Sequence, residues 1–289
     1  MAVPAQPTPY GREVAILIFF GVHWQLSVLF QSVFLHRYGA HRQFTMSKRA
    51  ERFFHVLTWA IQGPSYLNPR AYAIMHRMHH AYSDTPKDPH SPVQQGFLAM
   101  MWRTKTQYAD LKHRRIPVEA RFEGGYPEWK VFDETLGGWG AAIGWGALYL
   151  AIYAAFATHW WLFLLFPVHL ALGPVHGGIV NWFGHKLGYR NYESTDNSKN
   201  SLVFDYLTMG ELFQNNHHKW GQSPNFAVRA FELDPGYQFI RLMGLVGVFD
   251  LSEAQVARWE PARIAGRRVA VEPSQSPAIL AAPSPMDGE

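Results

Sequence analysis

Long apolar blocks alternate with polar, histidine-rich stretches along this chain, and three of the blocks are long enough to cross a membrane. They occupy residues 14–35, 140–158 and 160–183. A helix needs about 20 apolar residues to span the hydrocarbon core of a bilayer. We therefore predict three membrane spans, the last two forming a hairpin around an uncharged corner at His159. The first block lacks the flanks of a cleaved signal peptide and is predicted to be retained.

A fourth apolar stretch, residues 53–67, is shorter and contains Gly63 and Pro64. Basic residues flank it on both sides, and by the positive-inside rule both flanks face the cytoplasm. We therefore expect this stretch to lie along the membrane interface rather than to cross it. Because the predicted hairpin returns the chain to its starting side, all the histidine-rich stretches can meet on one membrane face. The flanking basic residues are Arg37, Arg42, Lys48, Arg49 and Arg52 on one side and Arg70, Arg77, Lys87, Arg103 and Lys105 on the other.

The predicted fold class is all-α: an integral-membrane helical bundle with a cytoplasmic helical cap that holds a histidine-rich dimetal site. Residues 1–259 form a single domain in this prediction, and the cap comprises residues 68–138 and 184–259. Residues 260–289 are rich in Pro, Ser, Ala and Gly, a composition that cannot bury enough apolar surface to order itself. We predict a disordered tail there, and we expect the protein in a bacterial inner membrane with its active site on the cytoplasmic face.

Composition narrows the chemistry. Only 17% of the residues are charged and 15% are aromatic, which suits a chain with an apolar environment around part of it. The net charge of +4 is modest, and the basic residues form no stripe interleaved with aromatics, so no nucleic-acid partner is predicted. The chain has no cysteine and 15 histidines. Disulfides, thiolate metal sites and cysteine nucleophiles are therefore excluded, and any metal must be held by imidazole, carboxylate, amide or water.

Eight histidines in four stretches form the candidate site. Positions i, i+3 and i+4 of a helix share one face, so His76, His79 and His80 are predicted to aim at a common point. The five-residue step from His36 to His41 spreads two rings further apart and suits the rim of a larger site. One zinc ion takes three or four ligands, so we infer two metals. The eight are His36, His41, His76, His79, His80, His185, His217 and His218.

The spacing of these histidines does not choose among zinc, copper, iron and nickel, all of which suit imidazole. The zinc hydrolase signature HExxH is absent. Ligands at a membrane face, beside helices long enough to enclose a hydrocarbon chain, favour redox work on an apolar substrate over hydrolysis.

The other histidines have plainer interpretations. We expect surface or interface positions for His55, His90, His113 and His159. Three more lie inside the predicted spans, where polar groups are costly, and pairing with a neighbouring helix is expected for them. These three are His23, His169 and His176.

Four motifs stand in order between residues 36 and 221: HRYGAHR, HRMHHAYSDTPKDPHSP, NWFGHKLGYRNY and GELFQNNHHKWG. In sequence, order and spacing they resemble the integral-membrane fatty acid desaturases, most closely the acyl-CoA Δ9 desaturases and their bacterial relatives. The resemblance implies two iron ions as cofactors. It also implies a reaction that uses O2 and two electrons to introduce a cis double bond, at the Δ9 position, into a saturated fatty acyl chain.

The resemblance assigns roles to individual residues. It implies that the eight histidines are the iron ligands and that Asn181 reaches iron through water. Glu211 and Asn215 match positions that orient ligating imidazoles. Asp84 and Asp88 are interpreted as structural or orienting acids rather than ligands. Gln214 stands where relatives with the fuller pattern have a histidine, and we hypothesise that its side chain lines the metal site.

Removing hydrogen from an unactivated methylene is beyond acid/base catalysis and needs metal-based oxidation. Selecting one carbon pair in a flexible chain is then a positioning task. We hypothesise that a bent tunnel between the spans does this, with Gly21, Trp24 and Gln25 helping to close its end.

The resemblance implies several partners: a fatty acyl substrate, O2, membrane lipid and a separate electron donor such as a ferredoxin or a cytochrome. The similarity to the acyl-CoA group implies CoA as the acyl carrier. Ile74 and Met75, however, stand where animal relatives have an Arg-Asp pair that helps to bind this carrier. Acyl-lipid and acyl-carrier-protein substrates therefore stay open.

Two alternative functions remain at this point. A membrane di-iron hydroxylase or monooxygenase would share the histidines and metals but leave an alcohol. A non-catalytic membrane protein could store or transport metal through its histidines. Transport would require ligands along a path across the membrane, whereas the eight histidines are predicted to gather at one face.

Overall fold

The computed structural model describes residues 9–203 and 205–258 and is mostly helical. The predicted tail, residues 260–289, lies outside the described residues. The helices are α1 (Pro9–Phe30), α2 (Lys48–Gln62), α3 (Pro69–Tyr82), α4 (Phe97–Lys112), α5 (Lys130–Thr135), α6 (Trp139–Phe156), α7 (Leu165–Leu170), α8 (Leu172–Lys186), α9 (Gln214–Lys219) and α10 (Pro235–Leu245). Gln31–Ala40 is π-helical and continues α1, and short 3-10 turns occupy Gly63–Ser65, Ala120–Phe122 and Trp160–Leu164.

Two helices are long and apolar enough to cross a bilayer. The first runs over Gly11–Ala40 and joins α1 to the π-helical segment, and the second is α6. Only 11% of the apolar window of α6 is buried inside the protein. Leu17, Ile18 and Val22 on α1 are likewise exposed. Apolar faces of this extent fit contact with lipid rather than with water.

The third predicted span is not one straight helix. The block of residues 160–183 is divided into a segment over Trp160–Leu170 and helix α8, which meet at an angle of 76°. Pro174 lies in the first turn of α8, where its ring is tolerated but would clash with the carbonyl four residues earlier in a continuous helix. The block therefore reads as a broken span or a re-entrant loop, and whether it crosses the membrane stays a prediction.

Helix α2 covers most of the fourth apolar stretch. At 15 residues it is about 22 Å long, shorter than the hydrocarbon core of about 30 Å. Ser47 caps its start by accepting a hydrogen bond from a backbone N–H at 3.2 Å. Phe53 is exposed while Phe54 is buried, so the helix has one apolar face in the core and further apolar surface outside it. These features suit the interfacial position predicted for it.

A two-stranded antiparallel sheet departs from the all-α prediction. Strand β1 (Thr45–Met46) pairs with β2 (Phe249–Asp250). Phe249 stacks on Phe44 with ring centroids 4.5 Å apart. Both belong to a core cluster with Phe30, Phe34, Phe54 and Ile240. The sheet therefore fastens the end of the described chain to the region between the first span and α2.

Two of the three histidines expected to pair with a neighbouring helix, His23 and His169, do so, whereas no side chain among the described residues forms a hydrogen bond with the ring of His176. His169 Nε2 lies 2.7 Å from His23 Nδ1, which joins α7 to α1. Tyr149 of α6 contacts the other nitrogen of His23 at 2.9 Å, and Tyr153 contacts His169 at 3.2 Å. Hydrogen bonding of this kind offsets the cost of polar groups in an apolar layer. His176 is buried on α8.

Candidate metal centre

Helix α3 carries the second histidine stretch. Asn68 caps it by accepting a hydrogen bond from a backbone N–H at 2.9 Å, and Pro69 fills the first helical position, where a missing N–H costs nothing. His76 and His80, four residues apart, enter one group of potential metal ligands. His79 enters a second group instead of the common point expected from the sequence.

His36 and His41 meet because the first helix changes its pitch. In the π-helical segment the N–H of His41 donates to the carbonyl of His36 at 3.1 Å. Hydrogen bonds between residues five apart stack those residues on one side of the helix. The two ring centroids are therefore only 5.0 Å apart, whereas the sequence spacing was expected to spread them. Such π-helical turns are frequent at functional sites.

Five imidazoles converge in what we call the first histidine group: His36, His41, His76, His80 and His217. The Nε2 atoms of His41 and His76 are 2.7 Å apart, and those of His36 and His217 are 3.0 Å apart. His80 Nε2 lies 2.9 Å from both His76 Nε2 and His217 Nε2. Two nitrogens bound at right angles with bonds of ~2.1 Å would be about 3.0 Å apart. The ring nitrogens thus have the separations of ligands around one metal ion.

Three further imidazoles, His79, His185 and His218, form the second histidine group. Their ring centroids are 5.0–5.1 Å from one another. Each Nε2 is buried and has no hydrogen-bond partner among the described residues. Buried polar atoms are normally paired, so three converging unpaired nitrogens fit a metal ion. The two groups adjoin, because the rings of His80 and His218 are 4.5 Å apart.

Carboxylates contact the Nδ1 atoms of the second histidine group, on the side of each ring away from Nε2. A carboxylate can only accept, so each ring carries its proton on Nδ1 and keeps the lone pair on Nε2 for a metal. The contacts to Nδ1 are Asp88 to His79 at 3.0 Å, Asp84 to His185 at 3.0 Å and Asp196 to His218 at 2.5 Å.

Glu211 makes the same kind of contact with His36 of the first histidine group. Its Oε2 lies 2.6 Å from Nδ1 of His36. The Ser32 hydroxyl donates to its other oxygen at 2.5 Å, and Arg37 lies 3.7 Å away. Positive and hydroxylic neighbours therefore keep this buried carboxylate ionised. In agreement, burial alone would raise the pKa of Glu211, but His36 and Arg37 lower it.

Burial governs the protonation of the imidazoles. Desolvation, reinforced by neighbouring rings, lowers the pKa of His41, His76, His80 and His217 well below 6.5. These rings are therefore neutral at physiological pH, the form that binds metal. Burial would also lower the pKa of His79, but the Asp88 carboxylate raises it.

The acids of the second histidine group are ionised. Burial by itself raises the pKa of Asp84, but the hydrogen bond from His185 and other donors lower it to about 2. The corresponding contact from His79 lowers the pKa of Asp88, again against burial. Ionised acids strengthen the donation from Nδ1 and make each imidazole a better ligand.

Three side chains that support the site were given no role in it from the sequence. Asp196 follows a stretch of turn residues, and its contact with His218 is invisible in the sequence. Arg37 and Arg77 were counted as flanking charges, yet both are buried. Arg77 donates to the carbonyls of Ala40 at 2.8 Å and Gly124 at 2.7 Å. Arg37 and Arg77, which directly follow His36 and His76, thus brace the backbone around the site, whereas Arg42, which follows His41, is exposed.

Of the four histidines outside both the site and the predicted spans, two are exposed and two are buried. His113 and His159 are exposed, as expected. Surface or interface positions were expected for His55 and His90 as well, but both are buried inside the protein, so the surface position is wrong for them. His55 Nε2 lies 2.9 Å from both Asp133 and the hydroxyl of Tyr66, a polar cluster that fastens α5 to α2. The ring of His90 lies 4.4 Å from that of His79, so the DPH motif folds back onto the second histidine group.

Three amides were predicted to reach, orient or line the site. Gln214 is buried and donates to the carbonyl of Glu211 at 2.8 Å, and its aliphatic part packs on Gly184, the neighbour of His185. Asn215 accepts from the N–H groups of residues 191 and 192 at 2.8 Å each, so it holds a loop rather than an imidazole. Asn181 is half-buried on α8, one turn before His185.

The proposed tunnel residues occupy different environments. Gly21 is exposed, and a Cβ there would meet nothing within 4 Å. Trp24 and Gln25 are half-buried. The indole N–H of Trp24 donates to the carbonyl of Leu207 at 3.1 Å, which joins α1 to the loop before α9. Their role at a tunnel end stays a prediction.

Membrane-length helices and two adjoining histidine groups with carboxylate support define a membrane protein with a candidate dinuclear metal centre. The family model for fatty acid desaturases matches residues 14–235, which include both histidine groups. The chain therefore belongs to the fatty acid desaturase family.

Similar proteins act on different acyl substrates, according to their names. The chain is 29% identical to a hex-5-enoyl-[acyl-carrier protein] acetylenase from Moorena producens, over 84% of this chain and 78% of that protein. It is 28% identical to an sn-1 stearoyl-lipid 9-desaturase from Anabaena variabilis, over 81% of each. It is 27% identical to Delta-9 acyl-lipid desaturase 1 from Arabidopsis thaliana, over 75% of this chain and 68% of that protein.

Proposed function

We propose that this chain is an oxygen-dependent di-iron desaturase that introduces a cis double bond, at the Δ9 position, into a saturated fatty acyl chain. The observation that carries the proposal is the convergence of eight Nε2 atoms in two adjoining groups at the end of a membrane-length helix. The Δ9 position is supported by the names of relatives with 27–28% identity.

The residues fit two iron ions. The first histidine group would hold one ion with five imidazoles, and the second would hold the other with three. Iron bound there would supply the oxygen-dependent removal of two hydrogens from adjacent, unactivated methylenes. Burial keeps four of the rings neutral, those of His41, His76, His80 and His217. Carboxylates contact the Nδ1 atoms of the other four, His36, His79, His185 and His218.

The acyl carrier is the least constrained part of this proposal. Ile74 is completely buried and Met75 nearly so, and both pack in an apolar cluster with Ala71, Leu111 and Phe122. They offer no charge to a CoA nucleotide. These two positions therefore give no support to the CoA carrier implied by the sequence resemblance, and two of the similar proteins are named for acyl-lipid substrates.

Electrons must come from a separate protein. We propose a ferredoxin or cytochrome that docks on the basic surface between the first span and the start of α2, where Arg42, Lys48, Arg49 and Arg52 are exposed. Opposite charges on a donor would speed its association, and high salt should slow it. This side would face the cytoplasm of a bacterial cell.

Expression in a host that lacks its own desaturase tests the proposal. Analysis of the host's fatty acids should reveal a new cis double bond, and separation of lipid, CoA and carrier-protein fractions should reveal which acyl pool is converted first. Hydroxylated fatty acids would instead identify a hydroxylase. Elemental analysis of the purified protein should give about two irons per chain, and a chain that binds another metal would contradict the assignment.

A further inference from the structure

A short loop between α8 and α9 holds an acid that contacts the second histidine group. Asp196 accepts through Oδ1 from the hydroxyls of Ser194 at 2.7 Å and Ser198 at 2.6 Å, and from the N–H of Ser198 at 3.1 Å. Aspartate and serine stabilise turns through bonds of this kind to residues nearby in sequence. The carboxylate is thus fixed in position, and its other oxygen is 2.5 Å from Nδ1 of His218.

The next residue reaches a different ligand. Asn197 donates to Oδ2 of Asp84 from its backbone N–H at 2.7 Å and from its side chain at 3.2 Å. The same oxygen accepts from Nδ1 of His185 at 3.0 Å. Of the three rings in the second histidine group, Asp196 thus contacts His218 directly, and Asn197 supports His185 through Asp84.

The loop is itself fastened to the protein. Arg190 donates to the carbonyls of Ser194 at 3.1 Å and Asp196 at 3.3 Å. Asn215, next to the fourth histidine stretch, accepts from two backbone N–H groups at the start of the loop. Among the hydrogen bonds of the described residues, none joins residues 194–198 to a ring of the first histidine group.

We propose that residues 194–198 form a clasp for the second histidine group, with Asp196 the positioning residue of His218 and Asn197 acting on His185 through Asp84. The proposal rests on the proposed function in that it takes this group to hold one of two irons. It goes further by making the two irons separable, since the clasp supports only one of the groups. Acids behind ligating histidines commonly contribute 10- to 100-fold to metal affinity.

Iron binding provides the test, independently of desaturation. Purified wild-type, Asp196→Ala and Asp196→Asn proteins are compared for iron per chain, for loss of iron to a chelator and for Mössbauer and electron paramagnetic resonance spectra. We expect about two irons in the wild type and about one in Asp196→Ala, with one site weakened about 10- to 100-fold. Asp196→Asn, which keeps an acceptor oxygen without the charge, should lose less. The residual iron should give the spectrum of a mononuclear site.

Glu193→Gln is the matched control, because Glu193 lies in the same loop but is exposed. It should keep both irons. An Asp196→Ala protein that retains two irons with wild-type affinity would overturn the clasp. Equal loss of both irons would also overturn it, because the loop would then support the fold rather than one site. A wild-type protein with two irons and no unsaturated product would overturn the proposed function while leaving the clasp intact.

Discussion

Replacing Arg37 with methionine should destabilise the protein strongly, because this arginine is a buried brace beside the first histidine group. Its side chain is fully buried and donates to Asp234 at 3.0 Å and to the carbonyls of Met209 and Pro224 at 3.1 and 3.2 Å. The guanidinium carbon also lies 4.0 Å from the centroid of the Phe226 ring.

The size of the effect follows from the partner that remains. Asp234 is also fully buried, so the substitution leaves a carboxylate without its cation. Breaking one side of a buried ion pair costs about 3–5 kcal/mol. For a chain of this size each kcal/mol lowers the melting temperature by about 2–4 °C, which predicts a fall of about 6–20 °C.

The loss should also depend on pH. Burial already raises the pKa of Asp234 above its ordinary value of 3.8, and removing Arg37 raises it further. A carboxyl with a raised pKa binds more protons in the folded state than in the unfolded state. The stability of Arg37→Met should therefore fall as the pH rises above 3.8 through the raised pKa.

Thermal unfolding of the detergent-purified protein between pH 5 and 8, followed by tryptophan fluorescence, measures both effects. Arg241→Met, at an exposed arginine, is the control and should change the melting temperature little. The double variant Arg37→Met with Asp234→Asn should be more stable than Arg37→Met alone, because the unpaired charge is gone. A shift of less than about 2 °C in Arg37→Met, or no recovery in the double variant, would refute the reasoning.

Four further predictions concern the site and its surroundings. His79→Ala should lose one iron and all desaturation while remaining in the membrane, whereas the exposed His113→Ala should keep both; retained activity would contradict ligation by His79. Trp24→Ala should shift the preferred acyl chain length, and an unchanged product profile would count against a tunnel end there. Gln214→His should keep iron and some activity, and loss of both would contradict the hypothesis that the Gln214 side chain lines the metal site. Gly188→Ala should lower the melting temperature, because this glycine has φ +126° and a Cβ would collide with a backbone carbonyl; unchanged stability would show that the loop relaxes at no cost.

The sequence predicted the site well where local periodicity governs it. The i, i+4 pair His76 and His80 shares a helix face in any α-helix, so one spacing sufficed to bring these rings together. The long apolar blocks were equally informative, since length and composition alone make α6 and the first helix candidate spans. The break within residues 160–183 could not be predicted from the sequence, because the residues remain apolar through the bend.

Contacts between segments that are distant in sequence could not be predicted from the sequence. Asp196 and His218 are 22 residues apart, and no periodicity connects a turn to a helix. His90 and His55 looked like surface residues because burial of a polar ring depends on partners from other elements. His36 and His41 were placed apart because α-helical spacing was assumed, whereas the helix becomes π-helical at Gln31.

The sequence by itself determined the set of candidate ligands: eight histidines without cysteine, beside apolar helices, favour imidazole metal binding at a membrane and lie in motifs that resemble one enzyme family. Only the tertiary structure decided how the ligands divide. The neighbours His79 and His80 serve different groups, as do His217 and His218. Consecutive residues of a helix point about 100° apart, so which histidine group each ring joins depends on how α3, α9 and the first helix pack around them.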